Sequence, residues 1–187
     1  MIRRRLTQIA PLAALAAMLV PTSASAELAV GTKAPGFTAQ GALAGNPIDV
    51  SLAKRLKKGP VVLYFYPKAF TQGCTLEAHA FAEASDDFAK AGASVVGMSN
   101  DDVPTLQKFS KEACRDKFAV AAATPKIVAD YDVALSRPGM PAGLTKRTSY
   151  VIGKNGRVAF VHSDLDWRDH VRLTLEAVRA MKAGKKG

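Results

Sequence analysis

The chain has 187 residues, a formal net charge of +10, and 22% charged against 48% hydrophobic residues. That suits an ordinary domain with room for a hydrophobic core. The basic residues are scattered, as at Lys54, Arg55, Lys57 and Lys58 or Lys108, Lys111, Arg115 and Lys117. No stripe of cations interleaved with aromatics forms, so nucleic acid is not an expected partner.

Residues 1–26 read as a leader: Arg3, Arg4 and Arg5, an Ala/Leu-rich run from Ile9 to Val20 interrupted by Pro11, and Ala24-Ser25-Ala26. A basic start, a short apolar stretch and a small-x-small site make a secretory signal peptide, with cleavage expected after Ala26. The apolar run is shorter than the roughly 20 residues a membrane span needs, so no anchor is expected after cleavage. The three arginines leave general and twin-arginine export both open. Without the leader a single domain of residues 27–187 remains, and the charge falls to +7 because the leader holds three arginines and no acid.

Along that domain, short strands are expected between Leu28 and Ala44 and over Ile48–Leu52, and Ser51 can cap a helical turn ending before Gly59-Pro60. Val61 to Tyr66 is an unbroken run of β-branched, leucine and aromatic residues, the mark of a strand buried on both faces. Thr75 to Lys90 has helical spacing, and Ser94 to Met98 is another buried strand, so a parallel strand-helix-strand crossover follows. Asp101 or Asp102 can cap a helix running from near Val103 and Pro104 to about Cys114. Beyond it come a short strand near Val120, a helical turn over Lys126–Tyr131 and a Pro/Gly-rich loop over Arg137–Arg147. Thr148–Ile152 and Val158–His162 flank Asn155-Gly156, a hairpin signal, and Trp167–Met181 is an amphipathic helix. The pattern is α/β.

One stretch carries chemistry. Pro67 to Gly73 is the turn between a buried strand and a helix, and Cys74 falls at the mouth of that helix. Free N–H groups and the positive end of the helix dipole stabilise an anion there, which favours thiolate over thiol. Glu77 sits in the first turn after Cys74, where a carboxylate suits the dipole. Metal binding is not expected: His79, His162 and His170 offer Cys74 one neighbour at suggestive spacing, and two ligands do not make a zinc site.

Pro67-x-x-x-Thr71-x-x-Cys74, with the preceding Tyr64-Phe65-Tyr66 and the following Thr75 and Glu77, resembles the active-site signature of the peroxiredoxins, in particular the Q-type (bacterioferritin comigratory protein-like) branch. Gly31-x-x-Ala34-Pro35 and Gly97-x-Ser99-x-Asp101 resemble further segments of that branch. The resemblance implies a thioredoxin-like fold, a central mixed β-sheet flanked by helices. It also implies a thiol peroxidase without cofactor, in which the Cys74 thiolate attacks hydrogen peroxide or an alkyl hydroperoxide and becomes a sulfenic acid.

In the family, an arginine before the strand that Thr148 begins here points at the reactive sulfur, and Arg147 holds that position. A guanidinium stays charged and can hold a peroxide oxygen as charge develops. Thr71 is expected to offer its hydroxyl to sulfur or peroxide while capping the helix, and Pro67 to shield the thiolate. The chain departs from many Q-type members at His79, where they carry a resolving cysteine. Cys114 is the only other cysteine, and some members place theirs in that next helix. The resemblance therefore implies a Cys74–Cys114 disulfide intermediate reduced by a thioredoxin-like partner, in a monomeric enzyme that suits a periplasm. A one-cysteine enzyme, a permanent structural disulfide, an exported thiol sensor or binding module, and a thiol-disulfide reductase on the same fold remain open.

Overall fold

A computed structural model describes residues 27–184; the leader lies outside the described residues. Seven strands form one mixed sheet: β1 (Thr38–Leu43), β2 (Asn46–Ser51), β3 (Val61–Phe65), β4 (Ser94–Ser99), β5 (Ala119–Ala122), β6 (Thr148–Ile152) and β7 (Val158–Ser163). Their spatial order is β2-β1-β5-β4-β3-β6-β7. β3, β4 and β5 run parallel, while β1–β2, β1–β5, β3–β6 and β6–β7 pair antiparallel. Six helices cover the sheet: α1 (Leu52–Leu56), α2 (Gln72–Glu83), α3 (Ser85–Lys90), α4 (Val103–Glu112), α5 (Pro125–Asp130) and α6 (His170–Ala183).

β3 shows why the sheet is central. All five residues are buried, and alternate side chains feed two separate cores. Val62, Tyr64 and Tyr66 pack with residues of α2, α4 and α6, whereas Val61, Leu63 and Phe65 pack with Leu52, Ile127 and Tyr131 on the other face. A strand sandwiched between helical layers needs apolar residues on both sides, hence the continuous run. Gly97 is required where the Tyr64 ring crosses β4: a Cβ there would lie 2.8 Å from that ring.

The expected helix over Thr75–Lys90 is two helices. The chain turns at Ala84, and Ser85 donates its hydroxyl proton to the Phe81 carbonyl at 2.9 Å, a back-bond that competes with straight helix. Asp102, rather than Asp101, caps α4 through Thr105 N at 2.9 Å, with Pro104 in its first turn. The Arg137–Arg147 segment is surface loop only in part: residues 137–143 are exposed, but Thr145 and Arg147 turn inward.

Candidate active site

Pro67 follows β3, and the turn it starts is tied at two points, one of them through a carboxylate that Ser99 also holds. Thr145 donates through Oγ1 to the Tyr66 carbonyl at 2.7 Å. Ala69 N donates to Asp101 Oδ2 at 2.7 Å, and Ser99 Oγ donates to the same oxygen at 2.7 Å. The Gly97-x-Ser99-x-Asp101 segment thus has a structural use: the first residue admits Tyr64 and the other two clamp the turn. Phe70 adopts φ 63°, a left-handed conformation unfavourable for a bulky side chain, and the clamp holds it there.

Cys74 is the third residue of α2, in the first turn, whose N–H groups no helical carbonyl can satisfy. It is 1% exposed. Arg147, from the residue before β6, reaches it: Nη2 donates to Cys74 Sγ at 3.5 Å, Nη1 donates to Glu77 Oε2, and Nε donates to the Leu165 carbonyl at 2.9 Å. Three anchors fix the plane of the guanidinium, as a fork of donors allows and an ammonium would not. Gly73 makes the approach possible, since a Cβ there would stand 3.3 Å from Arg147 Nη2 and 3.8 Å from Trp167 Cδ1.

Glu77 was read from sequence as a helix-dipole residue; the structure buries it completely behind Arg147. Three residues after Cys74 on one helix, it shares the cysteine's face, and that spacing was the signal available. Burial pushes its carboxyl up to about 8 against the pull of Arg147. Burial disfavours the Arg147 charge too, but Glu77 and Cys74 outweigh it and hold the guanidinium above its ordinary value. Behind Glu77 lies buried His170, with Nδ1 2.8 Å from Ser149 Oγ and Nε2 2.9 Å from the Asp164 carbonyl. Because a carbonyl only accepts, Nε2 carries the proton and Nδ1 accepts from Ser149. Burial lowers the imidazole to about 4, so the ring is neutral. Neither Ser149 nor His170 carried a sequence signal for a place beside the site.

Thr71 occupies the position before α2, but its side chain does not cap the helix; Oγ1 donates to the Lys68 carbonyl at 3.0 Å. The expected cap is therefore absent: the hydroxyl is turned towards the Lys68 carbonyl rather than towards the free N–H groups of the first turn. Pro67 is half-buried beside the turn. His79 is a half-buried residue on the α2 face, and among the described residues no cluster of three metal-ligating side chains forms.

Cys114 follows α4, fully buried in the same core as Cys74, and both thiols are free. Burial drives its thiol well up, with Asp116 adding to the effect. Burial holds the Tyr64 and Tyr66 phenols well above their ordinary value, and the Tyr64 hydroxyl is buried without a hydrogen-bond partner among the described residues. Arg115 and Asp116, immediately after Cys114, both take left-handed φ values, 49° and 60°.

The profile of the AhpC/TSA family matches residues 30–161. The chain is 32% identical to peroxiredoxin Q of Sedum lineare over 167 residues, 89% of this chain and 86% of the relative. Among solved structures, peroxidoxin BcpB from Mycobacterium tuberculosis superposes with a TM-score of 0.72 at 32% identity, covering 81% of this chain and 97% of that one. Bacterioferritin comigratory protein of Xanthomonas campestris gives 0.67 at 25% identity, over 76% and 91%. With the thioredoxin-like sheet, the reactive-looking turn and these likenesses together, the chain belongs to the AhpC/TSA family and is a thiol peroxidase of the peroxiredoxin Q and bacterioferritin comigratory protein branch.

Proposed function

We propose that Cys74 is the peroxidatic cysteine and that hydrogen peroxide and alkyl hydroperoxides are the substrates. The observation that carries this reading is the Arg147 guanidinium at 3.5 Å from a sulfur held in the first turn of a helix. A sulfur anion gains a charge-assisted hydrogen bond there, and the same fork can hold the peroxide oxygen on which charge builds as the O–O bond lengthens. The Thr71 hydroxyl, whose proton is engaged by Lys68, keeps lone pairs free to accept from the peroxide O–H. Pro67 screens the sulfur from water and bulky electrophiles. The solved Xanthomonas campestris relative is described by its alkyl peroxide reduction activity, which favours organic substrates here as well.

The Cys74 sulfenic acid is then resolved by Cys114, and the disulfide is returned to two thiols by a thioredoxin-like protein. Both cysteines are buried, so resolution requires the last turn of α4 to open. The left-handed residues 115 and 116 mark the strained point at which it opens. The enzyme works as a monomer in a periplasm, reached by the leader that ends at Ala26.

Intact mass of the reduced mature protein after one equivalent of hydrogen peroxide tests the chemistry. A loss of two hydrogens is expected in the wild type, and a gain of one oxygen in Cys114→Ser. An unchanged mass in both would remove the peroxidase reading, and a gained oxygen in the wild type would leave a one-cysteine enzyme.

A further inference from the structure

Arg147 is one cation facing two acids. It donates to Glu77 and to Cys74 in a site where Glu77 is 0% and Arg147 5% exposed. Among the described residues no other lysine or arginine bonds to either acid. Two anions beside a single buried cation would leave one charge uncompensated out of reach of water, which a low-dielectric site strongly disfavours.

The carboxyl geometry shows where the extra proton goes. Glu77 Oε2 is committed to Arg147, whereas Oε1 is buried without a hydrogen-bond partner among the described residues. A proton on Oε1 therefore breaks no contact, and Oε2 goes on accepting from Arg147. The groups facing this carboxyl are Cys74 on its own helix, Arg147 and Ser149 from the β6 side, Tyr64 from β3 and His170 from α6, which His162 from β7 meets edge-on. His170 Nδ1 is 3.8 Å from Oε1, but it already accepts from Ser149, and burial keeps the ring neutral. Tyr64 is held protonated by burial. Cys74 is thus the acid with which Glu77 competes.

We infer that Cys74 and Glu77 form one coupled acid pair that holds a single proton across Arg147: while the sulfur is a thiolate, the proton resides on Glu77 Oε1. Burial raises the Glu77 carboxyl to about 8 even against the pull of Arg147, and a sulfur anion beside the shared guanidinium adds to that rise. The inference rests on Cys74 being the reacting thiol and adds a proton balance to its reaction. Cys74 S⁻ attacks the distal oxygen of ROOH, an S–O bond forms, the O–O bond breaks, and two electrons pass from sulfur to peroxide. The sulfur ends as neutral S–OH, so Glu77 can ionise, and its proton balances the one that RO⁻ takes to become ROH. Arg147 faces a single anion before and after.

Two measurements on the reduced mature protein test the pair without peroxide. Infrared spectroscopy across a pH series should show a buried protonated-carboxyl band in the wild type that titrates away at lower pH in Cys74→Ser, where no thiolate competes for Arg147. In Glu77→Gln the rate of Cys74 alkylation by iodoacetamide at pH 8, near the value at which Glu77 ionises, should rise a few-fold, because a competing anion is gone. A band absent from the wild type, a band that titrates at the same pH in Cys74→Ser, or alkylation equal or slower in Glu77→Gln overturns the inference. If Glu77→Gln does not fold, the Cys74→Ser comparison decides alone. A protein that passes both and yet fails to consume peroxide would refute the proposed function and leave the coupled pair standing.

Discussion

The two cysteines of this chain share one hydrophobic core and differ in almost everything else. Cys74 lies in the first turn of α2, at the positive end of a helix, with a guanidinium on its sulfur. Cys114 lies past the end of α4, at the negative end of a helix, among aromatic and apolar side chains. Both are almost wholly buried, so exposure does not separate them; local charge does. Burial without a cation leaves a thiol inert, and Cys114 is held protonated until its surroundings open. The division of labour proposed above, an attacking and a resolving sulfur, would follow from which end of a helix each occupies.

The sharpest way to break that comparison is to remove each sulfur in turn. Cys74→Ser should lose the fast reaction with hydrogen peroxide altogether, whereas Cys114→Ser should keep the first turnover and lose the later ones, as single- and multiple-turnover kinetics would show. Next comes the cation: Arg147→Gln should slow the peroxide reaction by about a hundred- to a thousandfold, the usual effect of deleting a donor to developing charge. Arg147→Lys should recover part of this, because an ammonium supplies the charge without the three-way fork that also holds Glu77 and Leu165.

The layer behind the site is expected to show itself in stability. His170 is held at about 4 in the fold against an ordinary 6.5, so the unfolded chain binds more protons between those values. Its contribution is complete above pH 6.5 and is lost as pH falls towards 4, by about 3 kcal/mol at most. Denaturant titrations of the wild type and His170→Gln should therefore converge in acid; parallel curves would deny the buried neutral imidazole. The smallest effect is at Gly73, where an added methyl presses on Arg147 Nη2 at 3.3 Å. Gly73→Ala should slow peroxide reduction a few-fold without changing Cys114 labelling in the unfolded state.

Much of the fold was legible because β3, β4 and the 148–163 hairpin are written in local patterns: continuous apolar runs and an Asn-Gly turn. Cys74 and Arg147 were legible as a motif and a strand start, and the fold brings them together across 73 positions. What was not legible depends on tertiary burial. Glu77 looked like an ordinary helix-start acid until α6 and β6 closed over it; the neutral state of His170 depends on its burial, and its tautomer on Asp164 and Ser149, which no local spacing links to it. Thr71 stands at the start of α2 as its sequence position implies, but the partner of its hydroxyl was decided by the geometry of a tight turn. The break at Ala84 was missed because Ser85 fits a helical pattern until its hydroxyl turns back on the Phe81 carbonyl.

The most direct test of the central claim is the second-order rate of hydrogen peroxide with reduced Cys114→Ser protein at neutral pH, measured beside the same protein carrying Arg147→Gln. A rate orders of magnitude above that of free cysteine, falling at least about a hundredfold without the guanidinium, is the predicted result. A rate no better than free cysteine, or one indifferent to Arg147, would contradict the account.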